Sequence, residues 1–269
     1  MAKTTADLVA EAEAEADANL ELRQSWNVAP TSDVPVVLER FIGGAPGGRP
    51  VQGGTAVGHL VRQVHVARWG LVPGWARDAS AGARAFNARS ETVLEKPTFR
   101  DAVAARRCAV PVQGYYEWKT GPGRGKQPFY VSRADGALTF LAGLYEWWRD
   151  PAKAPGDPGS WLLSTSILTA AAPDPADVSG SGQPPVLAAL GELHDRMPVP
   201  LSSGTMAAWL NPSAPDPAAL VRRVVEEARG AAACWTLAEV GPAVGNVRND
   251  GPQLLAAPGP ETVTEPALF

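Results

Sequence analysis

Hydrophobic and polar residues alternate over several short stretches of the chain, and this two-residue period is typical of half-buried β-strands. The predicted strands cover residues 34–40, 60–69, 108–112, 128–133, 138–145 and 161–168. Helical periodicity and strong helix formers predict helices over residues 6–19, 98–107, 205–210 and 217–230. Many short strands with few helices predict an α+β fold with a curled, mostly antiparallel sheet.

Turn-forming residues separate these elements. Segments 43–54, 150–160 and 172–185 are rich in Pro, Gly or Ser and are predicted to be loops. Pro30 disfavours helix at Ala29, so the segment around it is predicted to be irregular. We expect residues 1–257 to form a single domain and residues 258–269 to form a flexible C-terminal tail.

Composition limits the possible functions. The 269 residues are 45% hydrophobic and 19% charged, as in an ordinary globular protein, and the formal net charge of -4 excludes a general nucleic-acid coat but not a local basic groove. The sequence shows no apolar run of membrane-spanning length and no signal-peptide core, so we expect a cytoplasmic protein. Two cysteines and three histidines lack metal-ligand spacing, so no metal or other cofactor is predicted.

Glu117 is the first candidate for proton transfer. It lies between Tyr116 and Trp118, after a predicted strand. Partial burial between aromatic rings would disfavour the charged carboxylate and suit it to general acid or base chemistry. The alternative is a strand-end glutamate that forms an ion pair with Lys119 or an arginine.

His194 is the second candidate, because an imidazole can take up and release protons at neutral pH. Asp195 or another carboxylate could fix its tautomer. The alternative is a loop histidine that is hydrogen-bonded to the backbone.

Asn87 and Arg89 would face the same way in an extended segment, since alternate residues share a face. The amide could then hydrogen-bond a reacting centre while the guanidinium binds a phosphate. Alternatively, Asn87 caps a turn and Arg89 pairs with Glu91.

Trp69 and Trp75 lie near several arginines, a combination that suits single-stranded DNA because bases stack on aromatic rings. The alternative is that these tryptophans belong to the core.

Cys108 follows two arginines, which could lower its thiol pKa, but the apolar run that begins at Cys108 favours a buried, inert thiol.

Several segments together resemble the SOS-response-associated peptidase (SRAP) family, over about residues 7–255. The matching motifs are Trp26-Asn27-Val28-Ala29-Pro30, Arg68-Trp69-Gly70-Leu71-Val72-Pro73-Gly74-Trp75, Asn87-Ala88-Arg89-Ser90-Glu91-Thr92, Tyr116-Glu117-Trp118-Lys119, His194-Asp195-Arg196-Met197-Pro198 and Val244-Gly245-Asn246-Val247-Arg248-Asn249. The resemblance implies a compact α+β fold with a curled β-sheet or barrel core and peripheral helices. It also implies a protein that senses abasic sites in single-stranded DNA during bacterial DNA-damage tolerance, with peptidase or lyase-like activity.

The resemblance also implies roles for matching residues. Glu117 is similar to the family's general acid/base, His194 to the group that assists sugar ring opening, and Asn87 to the residue that holds the N-terminal amine. The expected DNA-contacting surface comprises Asn27, Pro30, Trp69, Arg89, Thr169 and Arg196. Abasic single-stranded DNA is therefore the expected partner, and the resemblance does not identify a protein partner.

The N-terminus departs from the family pattern. In the family, removal of the initiator methionine frees a cysteine whose amine forms a Schiff base with the abasic aldehyde and whose thiol then closes a thiazolidine. Here residue 2 is Ala2, and the family's first strand is expected to be missing. Three explanations are open: a truncated or misassigned start, a non-crosslinking DNA-binding homologue, or a transient Schiff base at Ala2. A cysteine hydrolase that uses Cys108 with His194 is a further alternative.

Overall fold

The computed structural model describes residues 3–18, 20–42, 59–121, 125–154, 156–157 and 159–258. Its strands are β1 Asp33–Ile42, β2 His59–Trp69, β3 Asn87–Arg89, β4 Arg107–Val112, β5 Gly114–Thr120, β6 Lys126–Arg133, β7 Thr139–Arg149, β8 Trp161–Ala171, β9 Arg196–Pro198 and β10 Trp235–Glu239. Its α-helices are α1 Thr5–Ala12, α2 Arg100–Ala105, α3 Pro175–Val178, α4 Pro185–Leu193, α5 Ser203–Leu210 and α6 Pro217–Ala232, and 3₁₀ turns cover Ala79–Arg84, Pro242–Gly245 and Pro252–Leu255. The predicted loop at 43–54 and most of the predicted tail, residues 259–269, lie outside the described residues.

Five strands of the larger sheet close into a barrel. They follow the order β2-β1-β4-β7-β8, and a short parallel pairing of Arg68 with Ser164 and Trp69 with Thr165 joins β8 back to β2. The pairings within β1, β2, β4, β7 and β8 are otherwise antiparallel. The predicted α+β class with a mostly antiparallel, curled sheet is therefore confirmed.

Side-chain alternation divides the core between the two faces of this barrel. Inward-facing side chains form one apolar cluster, which includes Leu38, Cys108 and Leu141. Outward-facing side chains such as Val37 and Ala142 pack against the helices. Strand β8 is buried on both faces for this reason, and it lacks the simple in–out alternation of a half-exposed strand.

The peripheral helices cover the outer face with amphipathic stripes. In α6, Asp216 caps the N-terminus and Pro217 occupies its first turn, where a missing N–H costs nothing. The buried residues of this helix lie on one side at helical spacing: Leu220, Val221, Val224, Ala228 and Ala232. Helices α1, α2 and α5 contribute residues to the same cluster.

A second sheet of three antiparallel strands lies beside the barrel, in the order β10-β6-β5. Helix α4 covers it, and Leu187, Leu190 and Leu193 of α4 pack with Val131 and Trp235 of the sheet. This sheet and α4 carry Glu117 and His194, so their packing positions the two candidate proton-transfer groups.

Two local predictions were wrong. The helix predicted over residues 6–19 ends at Ala12, because Glu13 is left-handed (φ 50°) and Glu15 pairs with β2, its N–H donating to the Arg62 carbonyl oxygen at 2.9 Å. The predicted loop 172–185 contains the short helix α3, which Asp174 caps. In the first case tertiary pairing outweighed the helix propensity of Ala and Glu.

Candidate functional site

Strand β3 presents Asn87 and Arg89 on one exposed face. It pairs in parallel with the second half of β8, Asn87 opposite Ile167 and Arg89 opposite Thr169. Ala88 is fully buried between the two exposed residues. The prediction that Asn87 and Arg89 share a face is therefore confirmed, and both are accessible to a ligand.

Arg196 begins strand β9 and links that strand to the edge formed by β3 and β8. Strand β9 pairs with β8, and the Arg196 guanidinium forms two hydrogen bonds with the Glu91 carboxylate, at 3.1 and 2.9 Å. Its Nη2 also donates to the Thr169 carbonyl oxygen at 2.8 Å. Glu91 thus has Arg196 as its ion-pair partner, whereas the sequence had left a pair with Arg89 open.

The Arg196–Glu91 ion pair shifts the pKa of Glu91 and leaves one guanidinium nitrogen without a hydrogen-bond partner in the described part of the chain. Partial burial raises the pKa of Glu91, but the hydrogen bonds and charge of Arg196, with the charge of Arg89, outweigh it and lower the pKa below its ordinary value. The Arg196 Nε is buried and has no hydrogen-bond partner among the described residues. A buried unsatisfied donor is uncommon in native structures, and because this one is enclosed, a ligand reaches it only after neighbouring side chains move.

Thr169 belongs to the framework of this edge. It is 8% exposed, its carbonyl oxygen accepts from the Ser90 N–H at 2.9 Å as well as from Arg196, and its hydroxyl lies 3.4 Å from Arg196 Nη2. It therefore holds β3 and β9 in place, while its direct contact with a ligand stays a prediction.

Glu117 lies inside β5, not after a strand as predicted. It pairs with Phe129 of β6, and its carboxylate accepts from the Trp118 N–H at 3.0 Å. Neighbouring residues of a strand point to opposite faces, so the aromatic neighbours on the face of Glu117 are Tyr115 and the cross-strand Phe129 rather than Tyr116 or Trp118. Tyr115 is half-buried, and burial together with the charge of Glu117 raises the pKa of its phenol.

The face of β5 that carries Glu117 also faces helix α4. Tyr115, two residues before Glu117, packs into the cluster that contains the leucines of α4. Lys119, two residues after it, forms an ion pair with Glu192 of α4 at 3.1 Å. Glu117 therefore lies between two contacts with α4, near the end of the helix that precedes His194, and Lys119 is not its ion-pair partner.

His194 is the exposed C-cap residue of α4, and its Nδ1 has two neighbours. The Arg196 N–H donates to Nδ1 at 3.0 Å, which requires an unprotonated Nδ1 and leaves the proton on Nε2. The Asp195 carboxylate lies 2.9 Å from the same atom and can accept a hydrogen bond from it when Nδ1 carries the proton. Nδ1 thus has a partner both with and without a proton.

An open cleft of about 230 Å³ adjoins Asn87. Trp75, Arg84 and Lys96 line it, and the Trp75 side chain is 64% exposed. Trp69, by contrast, is half-buried, and its indole N–H donates to the Phe86 carbonyl oxygen at 2.9 Å. The sequence indicated Trp75 and Arg84, but it gave no signal for Lys96, which resembles an ordinary surface lysine.

Asn27 and Pro30 lie on a segment that connects the N-terminal, β5 and C-terminal parts of the structure. The Asn27 Nδ2 lies within 3.2 Å of the carbonyl oxygens of Val244, Asn246 and Asn249. The Tyr116 hydroxyl donates to the Trp26 carbonyl oxygen at 2.8 Å. The amide of Asn27 therefore orders residues 244–249, and the contact of Asn27 and Pro30 with DNA stays a prediction.

Cys108 lies inside the barrel, on the opposite face of β4 from Arg107. Burial raises the pKa of its thiol to about 12, so it stays protonated at neutral pH. Arg106 does not offset this, because it pairs with Glu146 at 2.8 Å. The structure therefore argues against a hydrolase that would use a Cys108 thiolate with the exposed His194.

Among the described residues, no helix is long and apolar enough to cross a membrane. No group of three or more His, Cys, Asp or Glu side chains there could hold a metal ion. Ala2, whose amine the sequence leaves as a possible nucleophile, lies outside the described part of the chain.

These features define an α+β barrel protein with a polar, arginine-containing site where β3, β8 and β9 meet the α4 end of the smaller sheet. The chain belongs to the family described as SOS response associated peptidase (SRAP), which matches residues 1–247. The predicted membership is thus confirmed.

Relatives and solved structures agree with this assignment. The abasic site processing protein YoqW of Bacillus subtilis (strain 168) is 32% identical over 197 residues, which cover 73% of this chain and 71% of YoqW. The abasic site processing protein HMCES of Rattus norvegicus is 26% identical over 265 residues, covering 86% of this chain and 64% of HMCES. A crystal structure of a protein from Bacteroides thetaiotaomicron is 25% identical with a TM-score of 0.55, covering 72% of this chain and 77% of that one.

A second crystal structure supports the fold alone. The protein, from Bordetella bronchiseptica, is 23% identical, and the match covers 89% of this chain and 96% of that one with a TM-score of 0.58.

Proposed function

We propose that this protein binds abasic sites in single-stranded DNA. The observation that carries the proposal is the edge formed by β3 and β9, where Asn87 and Arg89 are exposed and the Arg196–Glu91 ion pair joins the two strands. Guanidinium groups and an amide suit a phosphodiester and a sugar aldehyde, respectively. The names of YoqW and HMCES, both abasic site processing proteins, support the same substrate.

The exposed cleft beside Asn87 provides the complementary base-binding surface. Trp75 offers an accessible aromatic face, and Arg84 and Lys96 place positive charge beside it. Aromatic stacking combined with backbone charge is the usual basis of single-stranded DNA binding. We therefore add Trp75, Arg84 and Lys96 to the proposed DNA contacts Asn27, Pro30, Trp69, Arg89, Thr169 and Arg196.

Glu117 and His194 have the chemistry for proton transfer next to this surface. A carboxylate can deliver a proton to the hydroxyl that departs during imine formation, and an imidazole can assist opening of the deoxyribose ring. Asn87 would hold the attacking amine. Two ion pairs, Lys119–Glu192 and Glu91–Arg196, position the segments that contain these residues.

The chain as printed is expected to bind abasic DNA without forming a stable crosslink. A thiazolidine needs an amine and a thiol on adjacent carbons, and neither Cys108 nor Cys234 is N-terminal. After incubation with abasic single-stranded DNA, a denaturing gel should show only free DNA. A heat-stable shifted band would contradict this expectation.

A non-crosslinking DNA-binding module is the second candidate function. The observation that favours it is the placement of both cysteines inside the fold, where neither thiol has a free amine on the adjacent carbon. Borohydride trapping distinguishes the two candidates, because it captures an imine formed by any amine of a reactive protein and captures nothing with a module that only binds.

Replacing Arg89 by alanine is expected to weaken DNA binding and make it less sensitive to salt. Each phosphate contact on a single strand adds roughly -0.7 to the slope of log affinity against log salt concentration, so loss of one contact should flatten the slope by about 0.7. Fluorescence anisotropy titrations at several salt concentrations measure both quantities.

Arg222→Ala is the matched control, because Arg222 is exposed on α6 and its replacement removes the same charge. The control should leave the slope near that of the parent protein. An Arg89→Ala slope equal to that of the control would assign Arg89 a structural role only.

A further inference from the structure

The barrel mouth near the start of β8 carries a second set of cationic and aromatic side chains. The interior residues Leu38, Ala67, Tyr145 and Leu163 fix which face of each strand points inward. By the alternation of side chains, the inward-facing residues at this mouth are Arg40, Gln63, His65, Trp147, Arg149 and Trp161. We call this set the basic mouth.

Contacts across the barrel join these residues into one layer. Arg40 Nε donates to Gln63 Oε1 at 2.8 Å, and the same oxygen lies 3.3 Å from His65 Nε2. The His65 ring meets Trp147 edge-on with centroids 6.3 Å apart. Strands β2 and β7 are separated by β8 in the sheet, so this ring contact reaches over the mouth.

The rim of the mouth is open to solvent. Trp161 is 47% exposed and lies opposite Arg149 in the β7–β8 register, so the aromatic ring and the guanidinium are cross-strand neighbours on one face. Arg149 and Arg40 are both exposed. An accessible indole beside the Arg149 guanidinium, with Arg40 exposed on the same rim, combines a stacking surface with anion-binding donors.

Neither arginine of the mouth forms an ion pair with a carboxylate among the described residues, although Glu15 lies opposite Gln63 and Asp150 follows Arg149. Arg149 donates to the Lys153 carbonyl oxygen and Arg40 to an amide. Glu39 and Glu146 lie on the outer strand faces, where they pair with Arg62 and Arg106, respectively.

His65 adds little to this charge at neutral pH. Burial, with the nearby charge of Arg40, lowers the pKa of its imidazole, so the ring is neutral there. The arginines therefore carry the positive charge of the layer.

We propose that the basic mouth is a second contact for single-stranded DNA, in which a base stacks on Trp161 and phosphates bind Arg40 and Arg149. The identity of the ligand rests on the proposed function. The positive charge of the mouth favours a polyanion, and the exposed indole favours one with aromatic bases over an acidic peptide.

The position of the mouth suits a strand that already occupies the candidate site. Trp161 begins β8 and Thr169 lies beside β3, so eight residues of one strand separate them. At about 3.3 Å per residue this is about 26 Å. Because β8 is buried on both faces between these residues, a DNA strand bound at both places would continue past the lesion over the outside of the barrel, and the second contact would increase affinity for longer strands only.

Anisotropy titrations with two lengths of abasic single-stranded DNA test the proposal. With an oligonucleotide of about 16 nucleotides, the double replacement Arg40→Ala and Arg149→Ala should flatten the salt slope by about 1.4, and Trp161→Ala should weaken binding about 5- to 150-fold. Trp161→Phe, which keeps a stacking ring, should retain most of the affinity. With about 5 nucleotides, which fill only the site at β3, none of these variants should differ from the parent.

The double replacement Arg222→Ala and Arg229→Ala on α6 is the control for loss of two positive charges, since both residues are exposed. If Arg89→Ala weakens binding while the mouth variants bind the long oligonucleotide like this control, the second contact does not exist and the proposed function stands. If the parent protein binds neither length, both proposals fail. A polyglutamate peptide that competes with the long oligonucleotide in the parent but not in the Trp161→Ala variant would assign the mouth to an acidic peptide instead.

Discussion

Replacing Glu117 by glutamine is expected to slow crosslinking about 10²- to 10⁴-fold in a variant that carries Met-Cys-Gly-Arg and a short strand ahead of Lys3. Positioned acid/base groups typically contribute this much to a rate. Glu117 faces the α4 side of β5, between the contacts of Tyr115 and Lys119, so glutamine keeps its size and loses its proton-transfer capacity. Single-turnover crosslinking to abasic single-stranded DNA across a range of pH measures the effect.

Glu192→Gln is the matched control, because Glu192 is a neighbouring carboxylate that pairs with Lys119 and has no proposed chemical role. It should crosslink at nearly the rate of its parent, and the DNA affinity of both variants should be unchanged. If Glu117→Gln reacts as fast as the parent at every pH, the carboxylate is structural. Replacing the introduced cysteine by serine should abolish the stable product, which confirms the chemistry being measured.

Local sequence predicted the parts of the site that lie on single segments. The face shared by Asn87 and Arg89 follows from strand alternation alone, and β3 has that alternation. The nearness of His194 to Arg196 likewise follows from the single residue, Asp195, that separates them in the chain. What the sequence could not supply was the partner of each group, since Glu91 pairs with a residue 105 positions later in the chain.

Glu117 shows why immediate neighbours mislead. Its adjacent aromatics suggested an aromatic environment, but a strand places Tyr116 and Trp118 on the opposite face. Tyr116 packs against Tyr130 and hydrogen-bonds to Trp26, away from Glu117. The alternation could be applied only once β5 and its pairing with β6 were known, although the tyrosines and tryptophan of this segment favour a strand.

The closure of the barrel could not be predicted from the local sequence pattern either. Strand β8 had been expected from its apolar run, but its parallel contact with β2 involves two residue pairs at a sequence separation of 96 positions. A short non-local contact of this kind leaves no period in the sequence. It closes the barrel and so brings the start of β8 next to β2 at the proposed basic mouth.

Replacing Arg107 by methionine is expected to lower the free energy of unfolding by about 3–5 kcal/mol. The Arg107 side chain is 1% exposed, and its guanidinium donates to the carbonyl oxygens of Val103, Ala104, Trp209 and Asn211. It therefore satisfies the C-terminal carbonyls of α2 and of α5 at once. Methionine fills much of the same volume, so the loss would come mainly from unpaired acceptors, and urea denaturation measures it.

Arg222→Met on the exposed face of α6 is the control and should change stability by less than about 0.5 kcal/mol. Arg107→Lys should recover only part of the loss, because an ammonium carries all of its donors on one nitrogen. It cannot reach the ends of both α2 and α5 as the planar guanidinium does. If methionine costs less than about 1 kcal/mol at an unchanged m-value, water has taken over the carbonyls. In that case the α2 and α5 ends would be hydrated, and Arg107 would serve only to orient β4.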